Sequence, residues 1–155
     1  MAILSQETGL GRSSLYHHFP AGKEAMALEA LDRVEALLRG PMTAALDRGD
    51  ALATDGGSLQ RLLHDYYEGG ELGCLLGAFA AGDSTPAVAV RVGALTNLWI
   101  DLFASFAREA GVREPVAAAA QAIMTLQGGL MISAATGNRA HFALAVDAMV
   151  KLLRK

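Results

Sequence analysis

Between Leu4 and Glu24 the chain reads Leu-Ser-Gln-Glu-Thr-Gly-Leu-Gly-Arg-Ser-Ser-Leu-Tyr-His-His-Phe-Pro-Ala-Gly-Lys-Glu, two short helical patterns set around a glycine corner. A first short helix ends at Thr8, Gly9 permits the positive φ that a sharp corner needs, and Leu10 plugs the angle between the helices. A second short helix carries Arg12 to His18, with Leu15 and Phe19 four positions apart on the face that turns inward. Arg12, Ser13, Ser14, Tyr16 and His17 are left facing outward, a group of donors suited to phosphates and to base edges in a major groove. An ordinary helical hairpin on a protein surface has the same spacing, so the residues themselves leave both readings open.

Downstream the spacing stays helical. Lys23 to Arg39 places Met26, Leu28, Leu31, Val34, Leu37 and Leu38 at steps of three and four, which predicts a long amphipathic helix that Gly40-Pro41 stops or kinks. Leu52 to Ser58, with Asp55-Gly56-Gly57, reads as a loop, and Ser58 is a candidate N-cap for a helix from Leu59 through about Tyr67, ended by Gly69-Gly70. Asp83-Ser84-Thr85-Pro86 opens the next helix, whose Val88, Val92, Leu95, Trp99, Leu102 and Phe106 share one face until Gly111. Pro115 opens another, running to about Thr136, in which Ala117 to Ala120 and Gly128-Gly129 would let a second backbone come close. After Gly137-Asn138 the final helix, Ala140 to about Leu153, carries Phe142, Ala145, Val146, Met149, Leu152 and Leu153 on one face. Strand-like alternation is absent, so the expected fold class is all-α.

Composition narrows the function. The 155 residues suit one domain, or a small domain joined to a larger one. Hydrophobic residues reach 52% and aromatics only 6%, which excludes a disordered chain and leaves Ala, Leu, Val and Met to build the core. A net charge of -3 without a basic tail means that any contact with a polyanion must be local. The single cysteine, Cys74, rules out an internal disulfide or a Cys-rich zinc site and fits a reducing cytoplasm. With no basic neighbour in sequence to stabilise a thiolate, Cys74 reads as a small buried residue before a redox sensor. Met1 to Gly9 lacks the basic region and apolar run of a signal peptide. Val116 to Asn138 is uncharged, but its Gln121, Thr125, Gln127, Gly128, Gly129 and Ser133 favour a buried or interface helix over a membrane span. Neither a nucleophile-base pattern, a phosphate loop nor metal-ligand spacing occurs: His17 and His18 diverge by about 100° on a helix, and His64 and His141 are isolated. No enzymatic activity, metal or cofactor is expected.

Leu15-Tyr16-His17-His18-Phe19, followed by Lys23-Glu24, resembles the end of the recognition helix and the start of the connecting helix in TetR-type bacterial transcriptional regulators. The spacer Pro20-Ala21-Gly22 and the run Gly73-Cys74-Leu75-Leu76-Gly77 are similar to the LmrA/YxaF-like branch of that family. The motif-bearing part is confined to Leu4 to Glu24 and Gly73 to Gly77. Family members carry a complete first helix ahead of the position of Met1, so the resemblance implies an N-terminal truncation. Without that cover over Leu4, Leu10, Leu15 and Phe19, this form is expected to bind DNA poorly although its parent binds a palindromic operator.

The resemblance further implies a partial helix-turn-helix reading head and connecting helix over residues 1–40, and an effector-binding and dimerisation domain over residues 41–155. Carried over position by position, Arg12, Ser13, Ser14 and His17 match exposed recognition-helix positions, Tyr16 and Lys23 match phosphate contacts, and His18 and Phe19 match packing positions. The implied partners are operator DNA, a small apolar or aromatic effector, and a second copy of the chain. That copy is expected to join through the last two helices, where Phe142, Val146, Met149 and Leu153 form a wide apolar stripe. Tyr66, Trp99, Phe103, Met124, Gln127 and Met131 combine large apolar surfaces with a few polar tips, the mixture of a small-molecule cavity, and each also fits plain core. The resulting expectation is a cytoplasmic, ligand-released repressor. A helical dimeric small-molecule-binding or interaction module without DNA binding in this truncated form is the alternative.

Overall fold

The computed structural model describes residues 6, 9, 11–53 and 56–155, with the side chain of Arg12 outside that description. Every regular element within them is a helix, as the spacing predicts. The roles read for Leu4, Thr8 and Leu10 fall outside the described residues, whereas Gly9 has the positive φ of +68° that its corner requires.

Helix α1 spans Arg12–His18, and a corner at Gly22 leads into α2, Lys23–Leu37. Gly40-Pro41 does not end the connecting helix. Pro41 has no N–H for the carbonyl four residues back, and the backbone widens into a π turn, Leu38–Met42, before resuming as α3, Thr43–Leu46. The Thr43 hydroxyl donates to the Leu38 carbonyl at 2.9 Å, satisfying an acceptor beside the wider turn.

Helix α4, Ser58–Tyr66, corrects one detail of the sequence reading. Ser58 is the first helical residue and does not cap its own helix; its buried hydroxyl lies 2.7 Å from the Ala45 carbonyl and 2.8 Å from Asp50 Oδ1. Gln60 does the capping: its Oε1 accepts from the N–H groups of Gly56 at 2.8 Å and Gly57 at 3.3 Å. Its Nε2 donates to Asp147 Oδ1 at 2.7 Å and ties α4 to the last helix. After a tight turn at Glu68–Gly70 comes α5, Leu75–Ala81, an element the sequence analysis does not place because seven residues are too few for a periodic signal.

Three longer helices complete the chain: α6, Pro86–Glu109; α7, Pro115–Thr136; and α8, Ala140–Leu152. Proline begins both α6 and α7, where its missing N–H costs nothing, and Gly137 ends α7 in the left-handed conformation. On α6 the buried face runs Val88, Val92, Leu95, Trp99, Phe103 and Ala107, with Leu102 and Phe106 only half-buried. A straight helix drifts relative to a seven-residue repeat, and over this length the drift moves the core face on by one position. By length and composition alone α6 and α7 could each cross a bilayer; here they pack on one another and on the other helices.

The dimer stripe proposed on the last helix is also corrected. Phe142, Val146, Met149 and Leu153 are fully buried within the single chain. Phe142 packs edge-on against the rings of His64 and Tyr67 and against Gly70, where a Cβ would lie 2.6 Å from that of Phe142. Helices α7 and α8 form a hairpin closed at Gly129, where an added Cβ would fall 2.2 Å from the Ala145 Cβ. Its neighbour Gly128 faces open space. Along one outward line of α7 stand Ala117, Gln121, Met124, Gly128, Met131 and Ala135, at alternating steps of four and three, with Met124 63% and Met131 68% exposed; Val116 and Ile132 of α7 are also exposed, and Leu144 of α8 is 67% exposed.

Gly129→Val is expected to force α7 and α8 apart and cost roughly 1–3 kcal/mol or more. Gly93→Ala on α6, with open space around its Cβ position, should instead gain about 0.5–1 kcal/mol. Urea unfolding midpoints of the two variants test this, and an unchanged midpoint for Gly129→Val would remove the close crossing.

Candidate functional site

Two regions carry chemistry, and one helix joins them. On α1, Leu15 is buried, while Ser13, Tyr16 and His17, at helical positions i, i+3 and i+4, are exposed together on one side. Ser14 is half-buried and Lys23 stands exposed at the start of α2. The His17 and His18 rings meet edge to face at 5.6 Å. His18, expected at a packing position, is exposed, and Phe19 is only half-buried; among the described residues nothing covers them further. The Arg12 side chain, first among the expected base-reading groups, lies outside the described residues.

The second region is a cavity enclosed by α2, the π turn, α4, α5 and α6. Val34, Leu38, Met42, Leu63, Tyr67, Leu76 and Trp99, all buried, form its floor. Leu37, Tyr66, Cys74 and Leu75, all half-buried, form its mouth. The free space is about 10 Å³, room for roughly one water molecule, so the cavity is closed and any larger guest must spread its walls. Burial pushes the Tyr66 and Tyr67 hydroxyls above the ordinary tyrosine range, and the adjacent Cys74 sulfur adds to the effect. Both phenols therefore stay protonated near neutral pH. Trp99, 3% exposed, has an indole Nε1 without a hydrogen-bond partner among the described residues.

Of the six residues expected in a pocket, the structure brings Tyr66 and Trp99 together. Phe103 sits behind, edge-on to Trp99 at 5.8 Å and outside the lining. Gln127 packs toward α5, its Oε1 3.0 Å from where a Gly77 Cβ would stand. Met124 and Met131 are exposed on the outward face of α7 and do not line this cavity. Sequence reasoning missed Tyr67, although its pairing with Tyr66 was visible; Leu38 reads only as part of the apolar face of the connecting helix, and Met42 was missed because it lies past the expected stop or kink at Gly40-Pro41. Cys74 departs from its expected burial and stands half-buried at the mouth.

A brace of charges holds α2 on α6 beside this cavity. Arg91 donates to Asp32 Oδ1 at 2.6 Å and to Glu35 Oε2 at 2.5 Å, and Arg39 Nε donates to Glu35 Oε1 at 2.8 Å. Hydrogen bonds from Arg39 and then Arg91 hold the Glu35 carboxyl below the usual glutamate range. Val34, Leu37 and Leu38, on the same stretch of helix, are thereby kept against the cavity.

No family model, no curated protein and no solved structure matches the chain.

Because Glu35 is depressed in the folded state, the unfolded chain binds more protons there in acid, and stability rises with pH through that window. The contribution of the brace is complete above the ordinary glutamate range and is lost as pH falls through the lowered value. Thermal melts taken from neutral pH into acid should show an Arg39→Ala, Arg91→Ala double variant losing less on acidification than the unaltered chain. Superimposable acid profiles would mean that the brace contributes nothing.

Proposed function

We propose that the chain is a TetR-type, ligand-released transcriptional repressor that acts in the cytoplasm as a homodimer on a palindromic operator. The observation that carries this reading is the continuous connection from α1 through α2 to the π turn. One end presents Ser13, Tyr16 and His17 to solvent, and the other supplies Val34, Leu37, Leu38 and Met42 to a closed apolar cavity. In this reading Arg12, Ser13, Ser14 and His17 face base edges, while Tyr16 and Lys23 hold phosphates and set the register. An effector that spreads the cavity displaces the end of α2 and, with it, α1. Release follows only when the effector favours the arrangement that fits DNA worse, because equal affinity for both arrangements shifts nothing.

A second copy is assigned to the outward face of α7 with Leu144 of α8. Exposed Met124 and Met131 sit among the small residues Ala117, Gly128 and Ala135, which allow a second pair of helices to approach. The same face accounts for the apolarity of α7 without a membrane. It also suits the alternative, a dimeric binding module that does not read DNA.

Fluorescence anisotropy with DNA from immediately upstream of the chain's own gene separates the two. Ser13→Ala and His17→Ala should relax sequence preference, each by about 1–3 kcal/mol of discrimination at the base it reads. Lys23→Ala should weaken all sequences alike and reduce the salt slope by about 1. Sequence preference is read even where overall binding is as weak as expected of this form, and its absence at any salt would leave the module reading.

For assembly, sedimentation of the unaltered chain should give a dimer, and a Met124→Glu, Met131→Glu double variant a monomer. A 16.2 kDa species from the unaltered chain would dispose of this interface.

A further inference from the structure

Outside the closed cavity, α5 and α6 border an open groove of about 500 Å³, the size of a small-molecule site. One wall is the end of α5 and the turn after it, with Phe79, Ala80 and Ser84; the other is a face of α6, where Ala89, Gly93 and Asn97 stand one turn apart. Gly93 lies in the middle of the α6 wall. A glycine inside a helix is unfavourable relative to alanine, and no neighbour in the chain requires this one, since nothing stands within 4 Å of where its Cβ would be. What the missing side chain preserves is the groove.

The polar groups of the lining call for a donor. The Ser84 hydroxyl donates to the Phe79 carbonyl at 2.7 Å and the Thr96 hydroxyl to the Val92 carbonyl at 2.9 Å, so towards a guest each can only accept. At the end of α5 the Ala78 carbonyl receives the Gly82 N–H and that of Phe79 the Ser84 hydroxyl, while the carbonyls of Ala80 and Ala81 receive no hydrogen bond among the described residues. The charges nearby agree in sign. Asp83 stands between the lining residues Gly82 and Ser84, and Asp101 one turn beyond Asn97 on the same face of α6; both are exposed, and among the described residues no cation lines the groove. Arg91, on the same stretch of α6, is engaged by Asp32 and Glu35 of α2.

Between the two carboxylates the walls are apolar, with Phe79, Ala80, Ala89 and Val92. The α6 wall runs from Ala89 to Asn97, about 12 Å of helix. An anion would meet acceptors and like charge, and a compact cation would leave the apolar walls uncovered. A guest with donors at both ends and hydrocarbon between them matches the whole length.

We propose that the groove between α5 and α6 binds a linear organic diamine. Its methylene chain lies against the apolar walls, one ammonium is held at Ser84 and Asp83, and the other at Thr96, Asn97 and Asp101. The site is separate from the effector cavity and does not rest on the reading of the chain as a DNA-binding repressor.

Diaminooctane, octanediol and sebacate each carry one kind of group at both ends of eight methylenes and differ in charge alone among the features at issue. Calorimetric titration of the unaltered chain at moderate salt should show the diamine binding at least tenfold tighter than the diol, and no detectable binding of sebacate. Gly93→Leu fills the groove where the chain leaves open space, so a thermal melt should show it folded while the diamine no longer binds. In an Asp83→Asn, Asp101→Asn double variant the preference for the diamine over the diol should disappear. A diamine that binds no tighter than the diol, or not at all, would overturn the proposal, as would sebacate binding best. Undiminished binding of the diamine to folded Gly93→Leu would place it elsewhere and overturn the assignment to this groove. None of these outcomes touches the DNA-binding reading, which sequence preference tests.

Discussion

A glycine with no room for a side chain sets the arrangement of the larger part of this chain. At Gly129 the backbone of α7 comes so near α8 that an added Cβ would lie 2.2 Å from the Cβ of Ala145. With aromatics at only 6% of the residues, close approach of backbones replaces bulky side chains as the way to exclude space. The hairpin then buries Phe142, Val146, Met149 and Leu153 in the core, and in the turn after α4 Gly70 makes a second such concession to the Phe142 ring. Helix α6 packs against α7 on one side and meets α2 and α5 on others. The closed cavity is the residual space where α2, α4, α5 and α6 converge, and its Tyr67 meets the hairpin at Phe142.

The signals that proved legible in the sequence are local ones. Pro86, Pro115 and Gly137 place helix ends because proline and glycine act through the backbone of their own turn, whatever surrounds them. Periodicity was legible as far as it goes: it groups residues on a face without saying what that face meets. Phe142 and Met149 on one helix, and Met124 and Met131 on the preceding one, have equally regular spacing, yet the first pair is buried in the chain's own core and the second pair is open to solvent. Tyr66 and Trp99 were found among the cavity residues for their chemistry. Met42 was not, since a stop or kink at Pro41 takes no account of a widened turn that carries the helix past it, and Leu38 reads only as part of the apolar face of the helix before it.

The cavity and the charged brace act on the same few residues of α2 from opposite sides. Arg91 reaches across from α6 to Asp32 and Glu35, and the intervening Val34 points its bulk into the floor. A helix held by exposed ion pairs on one side and by apolar contact on the other is held by two forces that respond to different conditions. Salt and acid weaken the first. An apolar guest competes with the second. The position of α2 is therefore open to adjustment from outside.

The π turn fixes an azimuth as well as a link. Each residue of an α-helix advances the chain by about 100° around the axis, and a π turn absorbs one residue more per turn than the α-helix does. Because the wider turn takes up the extra residue, the outward residues of α1 keep the bearing relative to α3 that a uniform helix one residue shorter would give them. Loss of a single residue there would restore a uniform helix with little change in that bearing, whereas loss of one from the regular turns of α2 would swing Ser13, Tyr16 and His17 by about 100°. In a lineage of such chains, length could change at this one turn while the surface kept its bearing and substitution on α1 altered what it displays.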